Sequence, residues 1–303
     1  MKRLNFAGGL SVSQLVQGCM AIFTENVTGD KLKHHVEQCI DLGITTFDHA
    51  DMYGMYEADK AFGEAVIKGT NLRSKMQIIT KCGMIKEGYR GADIKYVDLT
   101  KENILGSVEQ SLRHLHTDYV DLLLLHRPDF LLRPEEVAET VTKLVKEGKV
   151  LHVGVSNFLP HNLRMLKKFL DLPIATNQIH ISALYTEALF NGSVDIAWEF
   201  GFPLMAYKPM GEGRIFTDNS ERMENMRKLL GDMCEKYNVD GIDKMMYAWL
   251  YNHPVGICPI AGGLNIDFVK SAAAAIEIQL EREDWYKILL MSRGHILPTV
   301  EII

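Results

Sequence analysis

Short apolar runs alternate with longer amphipathic stretches along the chain from about residue 15 onward. The runs are apolar on both faces, which is typical of parallel strands that are covered on both sides. In the stretches between them, apolar residues such as Leu32, Val36 and Cys39 recur at helical spacing. The pattern predicts strands at 15–20, 44–47, 76–80, 120–125, 150–155, 174–177, 203–207 and 255–260.

A helical stretch follows each of these strands, and the segment 82–99 reads as a polar loop. The predicted helices are 30–42, 56–68, 101–115, 134–147, 160–170, 186–200, 219–237 with 242–252, and 265–277 with 282–292. Eight β-then-α units fit a closed (β/α)8 barrel better than an open doubly wound sheet. Because no linker divides the chain, we predict a single (β/α)8 TIM-barrel domain over residues 1–303. Residues 1–14, with the turn Gly8-Gly9, predict a short hairpin that closes the bottom of the barrel.

Composition narrows the classes of partner. The net charge is -6 and the pI is near 6.0, so the chain lacks the basic surface expected of a nucleic-acid-binding protein, and anionic membranes are disfavoured as partners. The five cysteines are scattered without a Cys-x-x-Cys pair, a pattern that suits a reducing cytoplasm and predicts no metal site. Neither a signal-peptide core nor a membrane-spanning run is present, so we expect a cytoplasmic protein.

Polar residues stand where three consecutive strands end. Asp48 follows the second strand, with Tyr53 five residues later, and Lys81 and His126 follow the third and fourth strands. In a (β/α)8 barrel this rim carries the active site. Each residue alone has an ordinary alternative: a capping aspartate, a packing tyrosine, a surface lysine or a polar strand terminator. Their equivalent positions on neighbouring strands favour a catalytic set.

This combination of groups suits the donation of a proton to a carbonyl oxygen. A free tyrosine has a pKa of roughly 10, and a nearby ammonium stabilises the phenolate. Asp48 would hold Lys81 charged and correctly placed, and His126 could orient the carbonyl or relay the proton. No nucleophile paired with a base and no metal-ligand spacing is apparent. We therefore expect a reduction in which a bound cofactor supplies the hydride.

Four segments together are similar to one known family, the aldo-keto reductases, and the similarity extends over essentially the whole chain. Segment 43–54 resembles the family's first signature, and 79–82 and 125–128 resemble the segments that carry its lysine and histidine. Segment 148–158 resembles its second signature. The resemblance implies an NAD(P)H-dependent carbonyl reductase that transfers hydride from nicotinamide to a small aldehyde or ketone, with Tyr53 as proton donor.

The resemblance also implies how a dinucleotide would bind, extended across the barrel top without a Rossmann glycine fingerprint. Ser156 and Asn157 would hydrogen-bond the nicotinamide carboxamide together with Gln178, and Tyr207 would stack on its ring. The full set of implied cofactor residues is Ser156, Asn157, Gln178, Tyr207, Lys208, Pro209, Met210, Gly211, Gly213, Arg214, Gly262, Asn265 and Lys270.

Two departures from the family pattern concern the cofactor. Glu212 brings a negative charge near the expected pyrophosphate, so either it points to solvent or Lys208 and Arg214 offset it. At the adenosine end, Asn265 and Phe268 stand where members that prefer NADPH carry basic residues. The cofactor is therefore NADPH or NADH, and use of NADH or of both is the hypothesis that these residues favour.

Four residues on the loops after the first three strands could line an apolar substrate pocket or equally serve loop packing: Met20, Phe23, Met55 and Tyr89. The rival function is a dinucleotide-binding regulatory subunit with slow or vestigial reductase activity. A hydrolase on a similar barrel would need metal ligands or paired carboxylates at the strand ends, which the sequence lacks. The sequence itself sets no oligomeric state.

Overall fold

A computed structural model describes residues 1–293 of the chain. Within that range the strands are β1 (Arg3–Asn5), β2 (Ser11–Ser13), β3 (Val16–Gly18), β4 (Thr46–Asp48), β5 (Gln77–Cys82), β6 (Met84–Ile85), β7 (Tyr96–Val97), β8 (Val120–Leu125), β9 (Val150–Ser156), β10 (Ile174–His180), β11 (Leu204–Tyr207) and β12 (Ile257–Ala261). The single-domain prediction ends at residue 303 and so extends over residues 294–303, which lie outside the described residues.

Helices follow the barrel strands and form the outer layer. They are α1 (Gly29–Asp41), α2 (Ala58–Phe62), α3 (Lys101–His114), α4 (Pro134–Lys146), α5 (Pro160–Lys167), α6 (Ser193–Phe200), α7 (Arg214–Thr217), α8 (Glu221–Tyr237), α9 (Ile242–Tyr251), α10 (Ile266–Ala274) and α11 (Arg282–Arg293). Across residues 1–293, no helix combines the length and the apolar character needed to cross a bilayer.

Eight parallel strands form a closed barrel in the order β3-β4-β5-β8-β9-β10-β11-β12, with β12 paired to β3. Strand β8 illustrates why the barrel strands read as continuous apolar runs. Leu122 and Leu124 belong to the inner cluster that fills the barrel, whereas Leu123 and Leu125 belong to the cluster between barrel and helices. Both faces of β8 are therefore buried. The prediction of a (β/α)8 barrel is confirmed.

The amino-terminal residues close one end of the barrel. Strands β1 and β2 pair antiparallel around a turn in which Gly8 and Gly9 have φ values of 84° and 89°. That left-handed region favours glycine, which explains the Gly-Gly pair. Phe6, Leu10 and Val12 are buried and pack with the inward-facing residues of the barrel strands. The predicted hairpin therefore forms the floor of the barrel.

The segment 82–99 differs from its prediction as a polar loop. It contains a small antiparallel hairpin in which Met84 pairs with Val97 and Ile85 with Tyr96. The turn into it needs Gly83, whose φ is 104°. Strands of only two residues leave no alternating pattern to read in the sequence, so this hairpin could not be predicted.

The predicted helix 56–68 is also wrong in detail, because it is broken into three turns of different pitch. A 3-10 turn spans Tyr53–Tyr56, α2 follows, and a π-helical turn spans Gly63–Ile67. Gly63 packs directly against α3: a Cβ atom there would lie 1.9 Å from the carbonyl oxygen of His114. The glycine thus permits a close approach of two helical backbones.

Candidate active site

Three neighbouring strands bring the predicted catalytic residues to one end of the barrel. Asp48 is the last residue of β4, Lys81 lies near the end of β5, and His126 directly follows β8. The register pairs Asp48 with Ile79 and Lys81 with Leu124. Because side chains alternate along a strand, Lys81 points to the same side as the inward-facing Ile79. The carboxylate and the ammonium therefore meet inside the rim.

Lys81 is the centre of the hydrogen-bond network. Its Nζ donates to Asp48 Oδ2 at 2.7 Å, to the carbonyl oxygen of His49 at 2.7 Å and to the hydroxyl of Tyr53 at 3.1 Å. The other carboxylate oxygen, Asp48 Oδ1, accepts a hydrogen bond from Gln178 Nε2 at 2.8 Å. All three donor positions of the ammonium are occupied, which fixes it beside the phenol.

The electrostatics keep the phenol protonated and the lysine charged. Burial raises the pKa of Tyr53 above its ordinary value of 10.0, and the charge of Lys81 opposes that rise. The direction of the lysine effect is as expected from the sequence, but in this structure burial outweighs it. Burial also opposes the charge on Lys81, yet the attraction of Asp48 and Tyr53 raises the lysine pKa above 10.5. Tyr53 is therefore a neutral acid next to a permanent cation.

His126 faces Tyr53 across the cleft. The two rings lie 6.4 Å apart between centroids, with planes at 79°. Burial lowers the pKa of His126 well below 6.5, and the nearby charges of Lys81, Arg127 and Lys95 add to that effect. Its Nδ1 atom has no hydrogen-bond partner among residues 1–293. The imidazole is therefore neutral and is suited to hydrogen-bond a ligand.

A second polar group lies on the strands that follow. Asn157 Nδ2 donates to Ser156 Oγ at 2.8 Å, Ser156 Oγ donates to the backbone oxygen of Gln178 at 2.9 Å, and the Tyr207 hydroxyl donates to Asn157 Oδ1 at 2.7 Å. Asn157 has a left-handed backbone with φ of 61°, a conformation that asparagine tolerates well. The donors and acceptors of a primary carboxamide complement this set of hydroxyl and amide groups.

A cleft of about 1170 Å³ joins the two groups. This exceeds the roughly 300–1,000 Å³ usual for a drug-sized ligand and leaves room for a dinucleotide with a small substrate. The predicted residues that line it are Asp48, Tyr53 and His126 from the catalytic set, Met20 from the substrate set, and Ser156, Asn157, Gln178, Tyr207, Lys208, Pro209, Met210, Gly213 and Gly262 from the cofactor set. Lys81 lies directly behind this lining.

Four predicted cofactor residues make their contacts outside the lining of the cleft. Gly211 is buried against Leu184, Arg214 pairs with Asp218 at 2.7 Å, and Lys270 pairs with Asp267 at 3.2 Å. The side chain of Asn265 caps α10 by accepting from the backbone nitrogen of Asp267 at 2.9 Å.

Glu212 forms an ion pair with Lys208 while its side chain is also more than half exposed. Of the two cations suggested as its partners, Lys208 forms the ion pair and is the main cause of the lowered pKa of Glu212, and the charge of Arg214 acts in the same direction.

The substrate side of the cleft differs from the predicted one. Phe23 packs over Gly54, Met55 is exposed, and Tyr89 stacks on Tyr56 with ring centroids 3.4 Å apart. Side chains that the sequence did not single out line this side instead: Met52, Met84, Lys95 and Arg127. Arg127 carried a usable signal, since it directly follows His126 at a strand end. Lys95 carried none, because the hairpin that presents it could not be recognised.

A closed parallel barrel that carries a phenol, a buried ammonium and a carboxylate at its strand ends defines a class of protein, the (β/α)8 NAD(P)H-dependent oxidoreductases. The chain belongs to the aldo/keto reductase family, whose model matches residues 14–289. It is thus an NAD(P)H-dependent oxidoreductase.

Curated relatives agree with this assignment. The chain is 38% identical over 300 residues to the uncharacterized oxidoreductase YcsN of Bacillus subtilis, covering 98% of this chain and 100% of the relative. It is 36% identical to oxidoreductase YdhF of Escherichia coli, covering 96% and 97% of the two chains. A 6-dehydroglucose reductase of Agrobacterium fabrum is 35% identical, with 97% and 99% covered.

A solved structure supports the fold. The thermostable aldo-keto reductase Tm1743, crystallised with the inhibitor epalrestat, superposes with a TM-score of 0.81. The match covers 96% of this chain and 100% of the other at 23% identity. At that identity it speaks for the architecture alone.

Proposed function

We propose that this protein reduces the carbonyl group of a small aldehyde or ketone, with Tyr53 as the proton donor. The observation that carries the proposal is the 3.1 Å contact between the Tyr53 hydroxyl and Lys81 Nζ at the wall of the cleft. The phenol lines the space where a substrate would bind, while the ammonium behind it is already held by Asp48. A reacting oxygen beside Tyr53 would meet an acid and its stabilising cation together.

The residues of the site divide the work of moving one proton. The neutral phenol gives up its proton from the hydroxyl oxygen, and Lys81 stabilises the phenolate that remains. The neutral imidazole of His126 donates a hydrogen bond that orients the substrate carbonyl and polarises it. Gln178 keeps the second oxygen of Asp48 occupied, so that the carboxylate stays directed at Lys81.

Residues suited to a nicotinamide dinucleotide lie next to this proton donor. When such a dinucleotide is bound, its reduced nicotinamide ring supplies the hydride. Ser156, Asn157 and Gln178 offer the hydroxyl and amide groups that a carboxamide needs. Tyr207 offers a ring face for stacking. The space beside Gly262 is open, since a Cβ there would meet no atom within 4 Å. A phosphate of the dinucleotide can approach the backbone at this point because the residue has no side chain.

We propose further that the protein accepts NADH as well as NADPH. Lys270, the cation of α10 near the adenosine end, is already paired with Asp267 at 3.2 Å, and Asn265 caps the same helix. A 2′-phosphate would have to compete with Asp267 for Lys270, which reduces the gain of roughly 1.5–3 kcal/mol expected from a charge-assisted hydrogen bond.

Cofactor dissociation constants, measured by fluorescence titration with NADH and NADPH, test this preference. We expect the two constants to differ by less than about tenfold, which corresponds to about 1.4 kcal/mol. NADPH binding a hundredfold tighter would contradict the argument from the paired Lys270.

The reductase proposal is tested by Tyr53→Phe in an assay that follows loss of reduced cofactor with a panel of aldehydes. The variant should bind cofactor normally and lose roughly 10²–10⁴-fold in turnover, the usual contribution of a general acid. Tyr89→Phe is the matched control, because that hydroxyl bonds Gln110 away from the cleft at 3.0 Å. A wild-type protein that binds cofactor yet reduces no aldehyde would favour the regulatory-subunit alternative.

A further inference from the structure

Two cations lie at the substrate end of the cleft without a role in the chemistry described above. Lys95 extends from the hairpin β6–β7, and Arg127 follows His126 at the end of β8; both line the cleft beside Tyr53. Both charges reach His126 and help to lower its pKa. The charge of Arg127 also acts on Tyr207, where it opposes the rise in pKa caused by burial. The two cations therefore act on the space in front of the proton donor.

These two charges differ from the other cations near the cleft because no carboxylate of the described residues pairs with them. Within residues 1–293, neither Lys95 nor Arg127 forms an ion pair. Lys81, Lys208 and Lys270 are each paired with a carboxylate.

Three of the carboxylates that line the cleft are neutralised by lysines. Asp48, Glu212 and Asp267 hold the three lysines, and Glu25 accepts from the backbone nitrogen of Leu264 at 2.9 Å. Asp243 accepts from the hydroxyl of Ser271. Glu25 and Asp243 keep their negative charge, but they lie beside Leu264 and Ser271 after the last barrel strand, whereas Lys95 and Arg127 both act on His126. Within the described part of the chain, the two cations beside His126 therefore have no carboxylate partner, and they favour an anionic ligand there.

We infer that the substrate is an aldehyde or ketone that carries an anionic group, a carboxylate or a phosphate, which Lys95 and Arg127 bind while the carbonyl lies between Tyr53 and His126. This inference rests on the proposed reductase function. A guanidinium presents a planar fork that matches carboxylate and phosphate oxygens, and a lysine adds a flexible point charge. In a cleft with low-dielectric walls, such a pair concentrates an anionic substrate.

The wall of the cleft near Tyr53 suits the short carbon chain that would join the carbonyl group to the anionic group. Met20, Met52 and Met84 line the cleft near Tyr53. Unbranched thioether side chains adapt to ligands of different shape and offer no hydrogen bonds to a charged group. They therefore accommodate the carbon skeleton, and the anionic group is left to the two cations.

Matched substrate pairs test the inference. Succinic semialdehyde is compared with butanal, and D-glyceraldehyde 3-phosphate with D-glyceraldehyde, using whichever reduced cofactor binds more tightly. We expect kcat/KM to be at least about tenfold higher for the anionic member of one pair or both. The preference should shrink as salt is raised, because screening weakens exposed charges. The pair with the larger ratio identifies the carboxylate or the phosphate as the better ligand.

Charge-removing variants locate the effect. Lys95→Gln and Arg127→Gln should each lower kcat/KM for the anionic substrate by roughly 10–100-fold, chiefly through KM, and change it less than about threefold for the neutral one. Lys31→Gln, an exposed position on α1 outside the cleft, is the matched control. Thermal midpoints and cofactor dissociation constants show whether a variant has lost its fold or its cofactor site instead.

Two results would overturn the inference while leaving the reductase proposal intact. One is a wild-type protein that reduces neutral and anionic partners equally well. The other is an equal loss for D-glyceraldehyde and its phosphate in the variants, which would mean that the cations bind hydroxyl groups, as a sugar-like aldehyde would require. If the wild-type protein binds cofactor but reduces none of the four compounds, the proposed function fails and this inference fails with it.

Discussion

Replacing Lys81 with methionine separates the structural role of the buried ion pair from its chemical role. Lys81 is almost fully buried, and methionine keeps a similar length without the charge. The substitution leaves the carboxylate of Asp48 buried with Gln178 as its remaining side-chain donor. Removing one partner of a buried pair costs about 3–5 kcal/mol, because the other charge stays unpaired.

The double variant Asp48→Asn/Lys81→Met removes both charges at once and serves as the matched comparison. Replacing a buried pair by uncharged residues is often neutral, so the double variant should recover most of the stability lost in the single one. Neither variant should reduce aldehydes, because Tyr53 has lost the cation that stabilises its phenolate.

Thermal unfolding and cofactor-oxidation assays on the three proteins measure both effects. At roughly 2–4 °C per kcal/mol, the single variant should melt roughly 6–20 °C below the wild type. A single variant as stable as the wild type would show that Asp48 does not depend on Lys81. A double variant no more stable than the single one would show that an unpaired charge is not the cause. Retained turnover in either would remove Lys81 from the proposed mechanism.

Three further predictions concern packing and protonation. Gly63→Ala should destabilise the protein by roughly 3 kcal/mol in chemical unfolding, because the new Cβ would lie 1.9 Å from a carbonyl oxygen of α3. Its control is Gly106→Ala, which should stabilise the protein by about 0.5–1 kcal/mol because a Cβ there meets no atom within 4 Å. Burial raises the pKa of Asp51 from 3.8 to about 7, so the folded state holds this proton longer and stability falls as pH rises between those values. Asp51→Asn should therefore raise the melting temperature more at pH 8 than at pH 4, by the equivalent of roughly 3–4 kcal/mol, and an equal shift at both would contradict the assignment. The pKa of His126 lies well below 6.5 and that of Tyr53 above 10.0, so turnover in the direction of reduction should stay level from about pH 6 to pH 9. An inflection near pH 6.5 in the pH profile of turnover would show that His126 titrates during the reaction.

The rim of the barrel could be predicted from the sequence because parallel strands place their ends together. Asp48, Lys81 and His126 each follow an apolar run, and the alternation of strands and helices was enough to make those runs neighbours. Their hydrogen-bond partners were less accessible. That Lys81 also donates to the carbonyl of His49 depends on the local path of the backbone, which no side-chain pattern records.

The loops were harder to predict for a physical reason. Met55 has a φ of 54° and Gly54 a φ of 56°, and this pair of left-handed residues turns the Met55 side chain outward. Lys95 reaches the cleft because two short strands fold back over the barrel mouth. In both places the direction of a side chain follows from backbone geometry, whereas residue type and spacing leave it undetermined. The burial of Asp51 is a similar case, since a carboxylate in a loop normally reads as exposed.

The packed interior of the barrel has a kinetic consequence. Side chains fill the barrel down to Phe6, Leu10 and Val12, so ligands reach Tyr53 only from the cleft at the strand ends. A dinucleotide and a substrate would share that cleft, and the molecule that binds deeper should bind first and leave last. We therefore expect the product-inhibition pattern of an ordered mechanism.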